Sequence, residues 1–247
     1  MQPTPTERVS ERECTHPRAA GYRIVAVEGG EQTVLCTQCD AAYLEERARL
    51  MRYRKSRIQA SIPTRFWDCS FDNYNATTEK QRRALAKTRE YVNSLDRDSL
   101  TLCGLPGTGK THLACAIANQ LLDAEKTVIY TTVLELIRGI RDTWRRDSSE
   151  SETDVVGKYR KVKLLILDEV GVQFGSEAEK AQLFDVLDGR YREMRPTVIV
   201  SNLNSKALQE CLGPRIFDRL METGSTVVLF DWESYRRVPK SPLGAEV

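Results

Sequence analysis

Gly104-Leu105-Pro106-Gly107-Thr108-Gly109-Lys110-Thr111 is a complete phosphate-binding loop, and its surroundings decide the fold. Residues 99–103 before it form a short β-prone run. Residues 112–122 after it carry Leu113, Ile117 and Leu121 on one helical face. A strand, a glycine-rich turn and a helix in that order aim backbone N–H groups and a helix N-terminus at one point, where phosphate oxygens bind. Lys110 is placed to reach the β- and γ-phosphates and the Thr111 hydroxyl to ligate Mg²⁺, with Gly104 through His112 around the nucleotide. A glycine- and proline-rich turn with a chance lysine is the bland alternative, and it leaves the full spacing unexplained.

A second motif lies downstream. Lys163-Leu164-Leu165-Ile166-Leu167-Asp168-Glu169 is an apolar run ending in two acids, as expected of a buried parallel strand. Ligands in such sheets sit at the carboxyl ends of the strands. Asp168 is expected to hold the metal and Glu169 to polarise a water for attack on the γ-phosphate. Two acids after a strand can also simply begin a solvated loop. The two motifs together point to ATP binding and hydrolysis.

Around these motifs strands and helices alternate. Residues 99–103, 127–131, 163–167, 197–201 and 226–230 read as strands; residues 133–146, 177–194 and 205–212 read as helices. The predicted fold class is therefore α/β, a five-stranded parallel sheet between helices. Asn202 follows the fourth strand, where it can meet the γ-phosphate or the attacking water, although Asn there is also an ordinary turn residue. Arg215 and Arg219 stand four apart and share one face of a short helix, from which an arginine could enter a neighbouring subunit's ATP site, or Arg219 could simply pair with an Asp residue on the surface. On the helix 133–146, Val133, Ile137, Ile140 and Trp144 form an apolar stripe, with Arg138, Arg141 and Arg145 beside it. The Ser- and acid-rich residues 147–154 are expected to be a loop.

The whole chain has 247 residues and a net charge of +2, so bulk charge does not announce a nucleic-acid binder. Between Glu45 and Arg65, however, stand seven basic residues: Arg47, Arg49, Arg52, Arg54, Lys55, Arg57 and Arg65. They form either a solvated helix face or a contact for an acidic partner. No run is long and apolar enough for a bilayer, no secretory signal opens the chain, and seven cysteines form no paired framework. A cytoplasmic protein with no membrane contact is expected.

Cys14, His16, Cys36 and Cys39 supply four soft ligands at ribbon-like spacing, separated by two β-prone runs and Gly29-Gly30. A closed structural Zn²⁺ site would stabilise a module too small to fold on its own core. The alternative is a chance Cys-x-x-Cys pair beside surface residues.

The segments GLPGTGKTHLA (104–114), LLILDEVGVQ (164–173), SNLN (201–204), LGPRIFDRL (212–220), FDWESYR (230–236) and CSFDNY (69–74) occur in the order found in the DnaC-type replicative helicase loaders. The chain resembles that family of AAA+ ATPases over residues 56–237. The resemblance implies a Mg-ATP switch that binds single-stranded DNA and a replicative helicase hexamer and self-associates with ATP into an oligomer. It implies slow hydrolysis stimulated by DNA and by assembly. It gives Lys110, Thr111 and Asp168 to nucleotide and metal, Glu169 to catalysis, Asn202 to sensing and Arg219 to a neighbour's site, with Arg215 in the same motif. It also puts Phe71 and Tyr74 near the adenine and Arg138, Arg141 and Arg145 along the DNA path. The expected organisation is a zinc-ribbon-like partner-binding module (1–45), a basic helical linker (46–65), the ATPase domain (66–238) and a disordered tail (239–247). Two other readings stand beside it. One is an IstB-type transposition helper acting with a transposase on double-stranded DNA; the other is a non-hydrolysing, zinc-stabilised adaptor.

Overall fold

The computed structural model describes residues 22–26, 32–93, 95, 98–171, 176–222 and 225–236. The chain divides into two compact units, residues 1–56 and 57–247. In the first, β1 (Tyr22–Ala26) and β2 (Gln32–Cys36) pair antiparallel, Tyr22 opposite Cys36 and Ala26 opposite Gln32. α1 (Thr37–Gln59) begins directly after β2. No glycine or proline interrupts residues 37–59, so this helix runs unbroken through residues 45 and 46, where a linker was expected to begin.

The second unit carries α2 (Glu79–Asn93), β3 (Leu100–Gly104), α3 (Lys110–Asp123), β4 (Val128–Thr132), α4 (Val133–Asp142), α5 (Glu152–Lys161) and β5 (Leu164–Val170). It continues with α6 (Glu177–Arg192), β6 (Thr197–Ser201), α7 (Ser205–Leu212), α8 (Pro214–Met221) and β7 (Thr226–Phe230). The strands form one five-stranded sheet in the order β4-β5-β6-β3-β7, with every pairing parallel. The pleat sorts the side chains by parity. Leu100, Leu102, Leu164, Ile166, Val198, Val200, Val228 and Phe230 meet buried residues of α2 and α3, while Leu165, Leu167 and Ile199 meet those of α4 to α8. Burial on both faces is why the central strands read as continuous apolar runs.

Two expectations need correction. α4 stops at Asp142 rather than 146, because the backbone tightens into successive i→i−3 hydrogen bonds at Thr143, Trp144 and Arg145. Trp144 therefore leaves the apolar stripe and is 61% exposed, its Nε1 donating to Glu152 Oε2 at 2.7 Å. Residues 147–154 are also not all loop. Ser151 and Asp154 form a capping box that starts α5, a helix the Ser- and acid-rich composition concealed.

Arg190 ties the amino ends of β5 and β6 together. Fully buried, it donates to Thr197 Oγ1 (3.0 Å) and to the carbonyls of Tyr159 (2.7 Å), Arg160 (3.2 Å), Val162 (3.0 Å) and Pro196 (2.5 Å). These are carbonyls at the end of α5 and before β6 that no ladder satisfies. Burial lowers its guanidinium to about 9.

Candidate nucleotide site

β3 lies between β6 and β7, yet its connection through α3 leads to β4 at the far edge. The chain's direction thus switches at β3, and the crevice so made opens at the carboxyl ends of the strands. A cleft of about 430 Å³ lies there, lined by the phosphate loop, Asp168, Glu169 and Asn202.

The loop's shape depends on glycine at two positions. Gly107 (φ +75°) and Gly109 (φ +93°) are left-handed. A Cβ at 107 would stand 2.0 Å from Ser234 Oγ, and one at 109 would stand 2.6 Å from the Tyr74 ring. Gly109 is also the N-cap of α3, and no side chain takes the cap. The first-turn N–H groups are left to an anion. Lys110 is 5% exposed and donates to Gly104 O (2.9 Å) and Leu105 O (2.6 Å), folded back on its own loop. Burial lowers its ammonium to about 8, against the opposing pull of Asp168. Leu105 and Pro106 are exposed, while buried Thr108 braces the turn by donating to Leu105 O at 2.7 Å.

Asp168 is fixed from three sides. Its Oδ2 accepts from Thr111 Oγ1 (2.9 Å) and Tyr130 Oη (2.7 Å), and its Oδ1 from the Glu169 N–H (2.7 Å). Tyr130, on the neighbouring strand β4, has no motif around it, and the sequence reading missed it. Its only signal is parallel register, which sets Tyr130 opposite Ile166 and Thr132 opposite Asp168. Burial and the adjacent carboxylate keep its hydroxyl protonated. Register between β5 and β6 shifts between Leu167 and Val170, and Glu169 takes φ +58°. That left-handed backbone costs a glutamate about 1 kcal/mol or more. It leaves Glu169 exposed on the cleft between buried Asp168 and Val170.

The walls come from both ends of the second unit. Tyr74 Oη donates to Thr108 O (3.1 Å), and its ring stands edge-on to His112 and Tyr235. His112 Nε2 meets Ser70 O at 3.0 Å and its Nδ1 meets Cys69 Sγ at 3.5 Å, so the ring fastens the entering segment to α3. After β7, Trp232 Nε1 donates to Thr108 O (3.1 Å) and the Tyr235 N–H to Gly107 O (2.9 Å), and Arg236 lines the cleft. The structure separates the two aromatics expected near the adenine. Tyr74 lines the cleft; Phe71 is buried in the core beneath Arg89 and does not.

Other expected site residues stand elsewhere. Arg215 is exposed on α8. Arg219, on the same helix, lines a separate cavity of about 350 Å³ beside Ser99, Thr197 and Ser225, at the amino ends of the strands. Arg138 is exposed, Arg141 pairs with Glu179 (2.9 Å), and Arg145, beyond the end of α4, pairs with Asp147 (3.3 Å). Cys14 and His16 lie outside the described residues, as do the side chain of Cys36 and residues 237–247; Cys39 lies in the first turn of α1. Among the described residues no three His, Cys, Asp or Glu could together hold a metal. Thr111 Oγ1 and Asp168, in contact beside the phosphate loop, are oxygen donors of the kind that would suit Mg²⁺. No described helix is long and apolar enough to cross a membrane.

Comparison with known proteins agrees with this geometry. Residues 41–242 match the family described as IstB-like ATP binding protein. The replicative helicase loader DnaC of Escherichia coli K12 is 38% identical over 198 residues, 79% of this chain and 80% of that protein. The loader DnaC of Buchnera aphidicola from Acyrthosiphon pisum is 32% identical over 194 residues, 78% of this chain and 79% of that protein. A crystal structure of the DnaC helicase loader superposes with a TM-score of 0.61 at 23% identity, over 68% of this chain and 99% of that one, which speaks for the fold. The chain belongs to the DnaC/IstB-like family of AAA+ ATPases.

Proposed function

We propose that this protein is an ATP-driven loader of a replicative helicase. The observation that carries the reading is the similarity to DnaC over four fifths of that protein's length, combined with a cleft that gathers the phosphate loop, Asp168, Glu169 and Asn202. In the proposed cycle, Lys110 leaves the carbonyls of Gly104 and Leu105 for the β- and γ-phosphates. Thr111 and Asp168 would hold Mg²⁺, which would supply positive charge to those phosphates. Tyr130 keeps Asp168 turned toward Thr111. Glu169 accepts the proton of the attacking water, and Asn202 orients that water or the γ-phosphate. No arginine of α8 reaches its own cleft, so Arg219, with Arg215 beside it, serves the cleft of a neighbouring subunit and stabilises charge in the transition state. Hydrolysis is accordingly slow in the free protein and rises with assembly on single-stranded DNA, along which Arg138, Arg141 and Arg145 track the backbone. The residues around Cys14, His16, Cys36 and Cys39 hold structural Zn²⁺ and grip the helicase. Zinc content of the purified protein tests that part by itself.

The experiment for the whole is native mass spectrometry of the protein with the replicative helicase of its host, with and without ATP. A defined, ATP-dependent complex is expected. The match to the IstB-like family favours one competing reading, a transposition helper that acts on double-stranded DNA. No complex with helicase, together with preference for double- over single-stranded DNA at matched salt, would put that reading first.

A further inference from the structure

The cavity at the amino ends of the strands contains a buried carboxylate in contact with two arginines. Asp188, on α6, is 6% exposed. Its Oδ2 pairs with Arg192 at 2.5 Å and its Oδ1 with Arg219 of α8. The Arg219 guanidinium also lies 5.3 Å from the centre of the Phe184 ring and 5.2 Å from that of Tyr191. Its Nη1 is buried. The guanidinium is thus turned toward Asp188, Phe184 and Tyr191 of its own subunit, while the side chain as a whole stays 32% exposed.

From this we infer that Asp188 is a positioning residue that clasps Arg219 in the free subunit and releases it on assembly. The inference rests on the reading of Arg219 as the arginine that serves a neighbour. Arg192 makes the release feasible. A buried carboxylate stripped of its only cation is strongly unfavourable. Arg192, 72% exposed and already on the second oxygen, stays with Asp188 when Arg219 leaves. The two rings hold the guanidinium by its faces through cation–π attraction, which yields more readily than a second buried carboxylate would. The clasp therefore lowers the fraction of subunits ready to serve a neighbour, and apparent affinity between subunits falls by that fraction.

Two kinds of full-length subunit test this. Arg219→Ala acceptors keep their own cleft and lend no arginine; Glu169→Gln donors bind ATP and lend Arg219 but do not hydrolyse. Donors are titrated into a fixed amount of acceptor, and hydrolysis is followed. The donor that also carries Asp188→Asn is expected to reach half-maximal stimulation at a concentration about fivefold lower, as for a clasp closed in about four subunits of five. A merely structural loss would move that midpoint upward. Equal midpoints for the two donors, or stimulation by the Glu169→Gln donor alone, would overturn the clasp and leave the trans-acting arginine standing. Stimulation by neither donor would remove the trans-acting arginine itself, and the clasp with it. If Asp188→Asn does not fold, a donor carrying Tyr191→Ala, which removes an exposed ring from the same clasp, is expected to shift the midpoint in the same direction by a smaller factor.

Discussion

The two ends of the sheet hold their charged groups differently. At the carboxyl end the charged groups line one cleft. Asp168 is fixed by Thr111, Tyr130 and the Glu169 N–H, and Lys110 is parked on carbonyls it can leave. At the amino end the charges are turned inward. Arg190 serves the carbonyls of two elements, and Arg219 is held by Asp188. The first arrangement is a cleft whose cation can change partners. The second divides between one arginine that holds the fold and another that can be given up. What distinguishes them is the partner: fixed backbone carbonyls for Arg190, and for Arg219 a carboxylate with a second cation in reserve.

The contrast can be broken most sharply with Lys110→Ala. Removing the one buried cation of the cleft is expected to weaken ATP binding at least about 100-fold, read by calorimetry, because a charge-assisted contact in a water-poor site is lost. The melting temperature should hardly change. Arg190→Met should do the reverse. It leaves several buried acceptors without donors and is expected to cost about 3 kcal/mol in urea denaturation, with ATP affinity per folded molecule unchanged.

The pH dependence of binding sharpens the comparison further. Lys110 titrates near 8 in the free protein, and bound triphosphate, an anion in contact, raises that value. Binding therefore takes up a proton above pH 8. Affinity should be flat below that pH and fall by about tenfold per unit above it, until the bound-state value is reached. Affinity that stays level from pH 7 to about pH 9.5 would contradict the buried-lysine account. The smallest expected effect belongs to Tyr130→Phe, which removes one hydrogen bond to Asp168. A loss of about fivefold in kcat with KM for ATP little changed, about 1 kcal/mol, is expected.

Much of this was legible in the chain itself. The phosphate loop, the acid-tipped strand and the strands 197–201 and 226–230 combine local pattern with local chemistry, and the structure has them at those positions. Helix α5 escaped because its signal is the Ser151–Asp154 capping box rather than its composition. Tyr130, Asp188 and Arg190 escaped for another reason. Each acts across the sheet or between helices, on partners 38, 31 and up to 31 residues away, and nothing in the neighbouring sequence marks such a contact. The split between Phe71 and Tyr74 was equally hidden, since the core buries both and only the fold decides that Tyr74 also lines the cleft.

The central claim is that the cleft of one subunit is completed by α8 of another. The most direct test is turnover number against protein concentration for the wild type and Arg219→Ala, at saturating ATP and with single-stranded DNA present. The account predicts that wild-type turnover per subunit rises with concentration to a plateau, while Arg219→Ala binds ATP equally well and stays at the low, concentration-independent rate. An Arg219→Ala protein whose turnover climbs to the wild-type plateau would contradict it.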